Sequence, residues 1–417
     1  MLCAVAALVW VNTPWVSLYD SLWHAKLSIG LASYTLDHDL HFWVNDGLMA
    51  IFFFVVGLEI KRQLLVGELA SVRQAALPIL AALGGVIVPA LIYTAMNFGG
   101  AGSAGWGIPM ATDIAFVIGV MALLGDRVPL GLRVFLTALA IVDDIAAVLV
   151  IAFFYTAQIE WAGVGVAALC VFLLIAANRA GVRHALPYVL LGIVLWLAVL
   201  HSGVHATIAG VVLAMTIPSR TELNADEFLQ RCRGILRHFE SCADKEKGVM
   251  DDEEQQVAID ALEDTCEKAQ PPLYRLEEAL HPWVTFVIMP VFALGNAGVV
   301  LSGKIGEQLS EPIALGVALG LLLGKPIGIG LAAWLAVKSG IAALPSGVSW
   351  KHIHGAAWLA GIGFTMSLFI AALAFPSREL LALAKMGVLA GSFLAGTIGY
   401  VILRRPARDS IRTAAPP

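Results

Sequence analysis

About twelve apolar stretches with few charges recur along this 417-residue chain, most of them near the roughly 20 residues a helix needs to cross a lipid core. They lie near 1–18, 42–60, 76–97, 106–125, 132–157, 162–177, 186–200, 203–217, 283–301, 312–337, 353–375 and 382–403. In lipid every backbone N–H and C=O must find a partner inside the protein, so runs of this length read as helices. The expected fold is an all-α polytopic membrane protein, one transmembrane domain over 1–417. Charged residues make up 14% of the chain, against roughly 25% in soluble domains. They are also unevenly placed. Of the 31 acids, 16 fall between Ser219 and His281, so the apolar part is nearly bare of charge.

That charged stretch, 219–281, reads as a helical loop inserted between the eighth and ninth spans. Leu229, Cys232, Leu236 and Phe239 recur at helical spacing, as do Ile259, Leu262 and Cys266. Its charge run reads as a solvated surface, with a partner or sensor role as the alternative. The five cysteines build no disulfide framework and match no zinc spacing. No basic run points to nucleic acid. The first segment lacks a basic n-region and does not read as a signal peptide. It is short for a span, so it packs as a partial helix or the natural start lies upstream.

Lys and Arg in short loops set orientation. Lys61, Arg62 and Arg73 follow the second span, Arg127 and Arg133 the fourth, Arg179 and Arg183 the sixth. Lys338 and Lys351 follow the tenth, and Arg404, Arg405, Arg408 and Arg412 the last. The intervening loops hold little beyond Lys26, Lys304 and Arg378. Both termini should therefore face the cytoplasm. KLSIGLASYTLDHDL, after the first segment, reads as an extracytoplasmic β-hairpin whose edge could pair with a second copy, or as a plain loop.

Two segments look broken: GIPMATDIAF (Gly107 to Phe116) and GIGFTMSLF (Gly361 to Phe369). They are the middle members of two span triplets that, by the charge rule, run in opposite directions. That pattern predicts inverted repeats, with two broken helices crossing at the midplane and a transport site between them.

Apart from span ends, four ionisable side chains lie in the membrane interior: Asp113, Asp143, Asp144 and Lys325. An acid at the centre of a spanning helix costs ~2.5–3.5 kcal/mol on insertion scales. ALAIVDDIAAVLV keeps two side by side, so they are used or they are hidden by partners. Consecutive residues on a helix point about 100° apart. One acid can therefore face a cavity while the other faces a neighbouring helix. Close carboxylates titrate as a pair, and a hard cation arriving there must displace protons. With Thr112 and Asp113 in unwound backbone, the oxygens suit Na⁺ or Li⁺ exchanged against H⁺. Lys325 is the one buried cation candidate. Asp143 is a fitting partner, although spacing does not say which acid it meets, and a purely structural ion pair is the alternative.

His201 and His205, four apart, could share a helix face; packing or a protonation sensor suits them better than metal. His352 and His354 stand at a span entrance, facing headgroups. Glu59, Lys61 and Arg62 anchor the second span or gate it. Glu277, Glu278 and His281 admit the same two readings.

Together, FFFVVGLEIKR, ATDIAFVIGVMALLG, ALAIVDDIAAVL, SGVHATIAGV, LHPWV, GKPIGI and GIGFTMSLFIA resemble the NhaA-type sodium/proton antiporter family, in family order across almost the whole membrane part. This family is itself a standard example of the inverted-repeat architecture. The resemblance implies that Asp143 and Asp144 bind Na⁺ and protons. It implies that Thr112 and Asp113 sit where two unwound helices cross, and that Lys325 balances half-helix C-termini and pairs with Asp143. It further implies electrogenic exchange of cytoplasmic Na⁺ or Li⁺ for external H⁺, pH regulation, a homodimer joined by the outer hairpin, and a bacterial inner membrane. Glu59, Arg62, Glu277 and His281 match the pH-sensing cluster, with His205 a further pH-related site. No cofactor is implied beyond the transported ions. Three departures fall on the regulatory face: Gln63 in place of a carboxylate, Glu278 in place of a histidine, and a longer insert from Glu222 to Arg275. Competing classes are weaker. An intramembrane aspartyl protease needs acids on two facing helices. A carrier of organic anions needs a larger polar cavity, and a channel does not need broken repeats.

Overall fold

The computed structural model describes residues 2–31, 34–156, 159–242, 253–301 and 305–405. Met1, Lys304, Arg408 and Arg412, and the segment 243–252 of the charged insert, lie outside the described residues.

Every apolar segment carries helix, but not every one is a single span. Segment 1–18 is two helices, α1 (Leu2–Val11) and α2 (Val16–Trp23), bent by 117°. Pro14 follows Asn12 and Thr13, whose side chains bond to the Leu8 and Trp10 carbonyls and end the first helix. β1 (Lys26–Leu31) and β2 (Tyr34–Asp39) then pair antiparallel as a hairpin, with Lys26 opposite Asp39 and Leu31 opposite Tyr34. Across it, the Ser28 hydroxyl donates to Asp37 at 2.8 Å and Lys26 lies 3.3 Å away. These two contacts, the hydroxyl first, hold the Asp37 carboxyl below its ordinary range.

A π-helical turn, Trp43–Leu48, leads into α3 (Met49–Val66). Then come α4 (Val72–Asn97), a 3₁₀ segment (Ser103–Met110), α5 (Ile114–Leu124) and α6 (Leu130–Phe154). α7 (Trp161–Arg179), α8 (Ala185–His201) and α9 (Ile208–Thr216) complete the first part. The reading of 203–217 as a full span is too long. The chain turns at Gly203, whose φ of 78° only glycine adopts at low cost, and helix resumes at Ile208. The same turn takes His201 and His205 off a common helix face.

The insert forms α10 (Ala225–Cys242) and α11 (Glu253–Ala269). Its base is pinned where the Glu222 and Leu223 amides donate to the Lys268 carbonyl. α12 (Pro272–Asn296) follows and ends at Asn296, so 297–301 is not helical as the sequence suggested. α13 (Pro312–Lys338), the bent pair α14 (Trp350–Leu359) and α15 (Phe364–Ala374), and α16 (Arg378–Arg404) close the chain. By length and composition, seven of the described helices can cross a membrane alone, and nine if each bent pair counts as one span. The others among the twelve segments are shorter or interrupted.

Two triplets form the core: α4, the broken Ser103–Leu124 segment and α6; then α13, the α14/α15 pair and α16. α4 and α13 lie antiparallel. Gly84 meets Gly328, Pro89 meets Gly324, and Tyr93 meets Gly316. A Cβ on Gly84 or Gly328 would run into the other's carbonyl oxygen, so both glycines are needed for this approach. Opposed first helices are the signature of an inverted repeat.

Candidate functional site

The two breaks meet. After the 3₁₀ segment, which contains Pro109, the chain is extended from Ala111 to Asp113 before α5 begins. Between α14 and α15 the helix is interrupted around Gly361 to Gly363. Buried backbone freed by a break must be paired again. The Asp113 amide donates to the Ile362 carbonyl at 2.7 Å, and the Ser367 hydroxyl to the Ile108 carbonyl at 2.7 Å. Asp113 accepts from the amide of Phe116 at 3.2 Å, from the amide of Thr365 at 3.0 Å, and from the Thr365 hydroxyl. One carboxyl thus caps the first turns of both α5 and α15, where a helix dipole favours negative charge. Ser392, on α16, accepts from the amides of Gly363 and Phe364 at 3.2 and 3.1 Å.

Asp143 reaches this crossing from α6 and Lys325 from α13, just past a π-helical turn at Gly320–Gly324. Lys325 Nζ lies 2.5 Å from Asp143 Oδ2 and 2.9 Å from Thr112 Oγ1. Thr112 Oγ1 is 2.6 Å from Asp143 Oδ2 and 2.8 Å from the Ala360 carbonyl, so its single proton serves one of them at a time. The three side chains are 1% exposed or less. Among the described residues, Asp143 Oδ1 is occluded and has no hydrogen-bond partner. The partner of Lys325, open at the level of spacing, is Asp143.

Asp144 is 3% exposed and differs in setting. Among the described residues it has no hydrogen-bond partner, yet its oxygens are not among the occluded unpaired atoms. Its carboxylate therefore touches accessible space. Thr137 lies seven residues earlier, close to two turns and so on the same face of α6. Thr137 and Ala138 line a cavity of about 300 Å³ with Gln63, Gly67, Glu68 and Arg133. Gln63 also accepts from the Glu68 amide at 3.1 Å. A larger cavity, about 910 Å³, is walled by apolar side chains such as Trp43, Phe54 and Trp196, and none of the acids lines it. Among the described residues, no three His, Cys, Asp or Glu side chains gather as a metal cluster.

A second group forms at the far end of α3. Arg62 Nε donates to both Glu277 oxygens at 2.9 and 3.0 Å, and Arg62, Glu277 and His281 all act on the Glu59 carboxyl. Lys61 ties the same helix end to the Met215 and Ile217 carbonyls. Glu278 is exposed. His205 stands apart, 3.8 Å from Asp46 and edge-on to Phe369 at 5.7 Å. His352 caps the start of α14, and His354 accepts from Trp358.

The sequence missed Thr365 and Ser392 as partners of the breaks. Thr365 lies inside a motif already singled out, but its mate is 252 residues away. Lys385, near the start of the last span, is also buried, 9% exposed. Lys325 is therefore not the sole buried cation.

The chain matches the family model described as "Na+/H+ antiporter 1" over residues 1–403. It is 55% identical over 406 residues to a protein of Oleidesulfovibrio alaskensis named Na(+)/H(+) antiporter NhaA, covering 97% of this chain and 90% of that one. A protein of the same name from Koribacter versatilis is 52% identical over 412 residues, 99% of this chain and 89% of its own. One from Acidithiobacillus ferrooxidans is 48% identical over 406 residues, 97% and 93% of the two chains.

Proposed function

This chain belongs to the Na+/H+ antiporter 1 family, and from that premise we propose that it carries cytoplasmic Na⁺ or Li⁺ outward in exchange for a larger number of external protons. It is a multi-pass membrane protein and a Na⁺/H⁺ antiporter, not an enzyme. The contrast between its two adjacent acids carries the mechanism: Asp143 held by Lys325, Asp144 bare and facing accessible space.

Na⁺ enters from the cavity at Gln63 and Thr137 and meets Asp144 first. Asp143 Oδ1, which has no partner, supplies a second carboxylate oxygen, and Thr112 a hydroxyl. A hard cation takes such oxygens. As it binds, Lys325 loosens from Asp143. The crossing then switches its access, Na⁺ leaves, and protons refill the acids. One monovalent ion spread over two carboxylates is replaced by more than one proton, which makes the exchange electrogenic. Asp113 stays in place as the cap that joins the two half-helices, and Lys325 balances the charge.

The remaining assignments follow the same reading. Glu59, Arg62, Glu277 and His281 form a pH-responsive cluster at the cytoplasmic end of α3 and α12, with His205 as a separate pH-linked group. The protein resides in a bacterial inner membrane with both termini cytoplasmic, and the 219–281 insert lies on that face. The free edges of the β1–β2 hairpin join a homodimer. The cellular outcome is sodium and pH homeostasis.

Everted membrane vesicles that carry a respiratory pH gradient test the central claim. Na⁺ or Li⁺ should dissipate the gradient in vesicles with wild-type protein. Asp144→Asn should abolish that response while membrane insertion, followed by immunoblot, is unchanged. An Asp144→Asn protein exchanging at the wild-type rate would sink the assignment.

A further inference from the structure

On the exchange reading, the cavity lined by Thr137 is one half of an ion path, and the inverted repeat points to the other half. Thr137 is the eighth residue of α6, and Lys385 is the eighth of α16. Further along α6, Asp143 bonds to Thr112 in the break of its own repeat. Further along α16, Ser392 bonds to Gly363 and Phe364 in the break of its own. Lys385 precedes Ser392 by seven residues, as Thr137 precedes Asp144, so each pair shares a helix face. The two eighth residues also stand at opposite ends of the second span. Gln63 borders the cavity, whereas Lys385 is the charge that acts most strongly on His41. Those two ends are separated by about 33 Å of helix.

Lys385 is 9% exposed and, among the described residues, has no hydrogen-bond or ion-pair partner. Its ammonium is not among the fully occluded unpaired atoms, so it keeps some accessible surface. The other charged groups around His41 are Asp39, His24 and Arg378. Asp39 is engaged in capping the Phe42 amide, and Arg378 in a 2.9 Å contact with His24. A buried cation without a counterion is costly, and its field is poorly screened.

We propose that Lys385 lines the route by which Na⁺ leaves on the face opposite the cavity, and that its positive charge weakens Na⁺ binding from that face. This rests on the exchange reading above. A carrier that must release Na⁺ into a Na⁺-rich medium gains from lower affinity on the release side. Seven residues of helix place the lysine about 10 Å from the crossing, where a poorly screened unit charge changes cation affinity by about 15-fold.

Proteoliposomes with the protein in one known orientation test it, with the apparent KM for Na⁺ measured from each face. Lys385→Met is expected to lower KM about 15-fold on the face opposite the cavity and by clearly less on the cavity face. Lys385→Arg should retain the wild-type KM on both. An equal shift on both faces, or none, overturns the proposal. Failure of the wild-type protein to exchange Na⁺ for H⁺ would instead overturn the exchange reading, so the two failures are distinct. If Lys385→Met does not fold, Lys385→Cys in a background without native cysteines serves. An impermeant thiol reagent added from the release face should label it, with Na⁺ slowing the reaction. Absence of labelling from that face also refutes the proposal.

Discussion

Replacing Lys325 by Met removes the 2.5 Å bond to Asp143 and the 2.9 Å bond to Thr112 while keeping nearly all the volume of the stem. The stem packs against Gly85, so little cavity opens and the loss is electrostatic. Asp143 would retain only Thr112, with Oδ1 already unpaired and 1% of its surface exposed. Breaking a buried pair from one side leaves an uncompensated charge and costs about 3–5 kcal/mol. Adding Asp143→Asn removes that charge. The double variant should therefore recover a large part of the loss, giving a coupling of about 2–3 kcal/mol in the mutant cycle. The assay is thermal unfolding of wild type, both single variants and the double variant in one detergent, at one pH and scan rate, because unfolding of such proteins is commonly irreversible. Lys325→Met should unfold several degrees below wild type, and the double variant should lie between them. A Lys325→Met midpoint equal to wild type, or strictly additive single effects, would refute the view that a charged pair holds α6 against α13.

Gly328→Val places a branched side chain against the Gly84 carbonyl and should destabilise the antiparallel α4–α13 contact by about 1–3 kcal/mol or more, read as a lower midpoint in the same melt. Gly330→Val, at a position with open space beside it, is the control and should melt near wild type. The hairpin should depend on pH with a defined sign. Because Ser28 and Lys26 hold Asp37 below its ordinary value of 3.8, their stabilisation is fully present above that value and is lost as pH falls through the depressed one. Hydrogen exchange of the β1–β2 amides should therefore lose protection only in that acid window. Asp37→Asn should flatten the profile, and a loss of protection on raising pH instead would contradict the sign.

Much of the architecture was legible because lipid imposes a simple rule: long apolar runs must be helical. Ala76 to Asn97, Leu132 to Phe154 and Ala382 to Leu403 therefore appear nearly as read. The interruptions at Thr112 and Gly361 were legible too, since glycine, proline and hydroxyl residues in mid-membrane favour unpaired backbone. Segment ends were less legible. Hydropathy does not register a 117° bend near Pro14 or a turn at Gly203, where local capping and a positive φ override an apolar run. Position near a span end likewise says nothing of which way a helix face turns, so the burial of Lys385 is decided by packing.

Sequence alone determined that two acids would lie in the membrane beside two broken helices, and that a lysine would share that depth. Residue type and run length suffice for this, because the cost of charge in oil does not depend on partners far away in the chain. Only tertiary structure decided that Lys325 takes Asp143 and leaves Asp144 bare, that Asp113 caps both half-helices, and that Ser392 closes the second break. Those choices depend on contacts between residues up to 252 positions apart and on the antiparallel approach permitted by Gly84 and Gly328. No local pattern encodes such contacts. They exist only once the two repeats have packed.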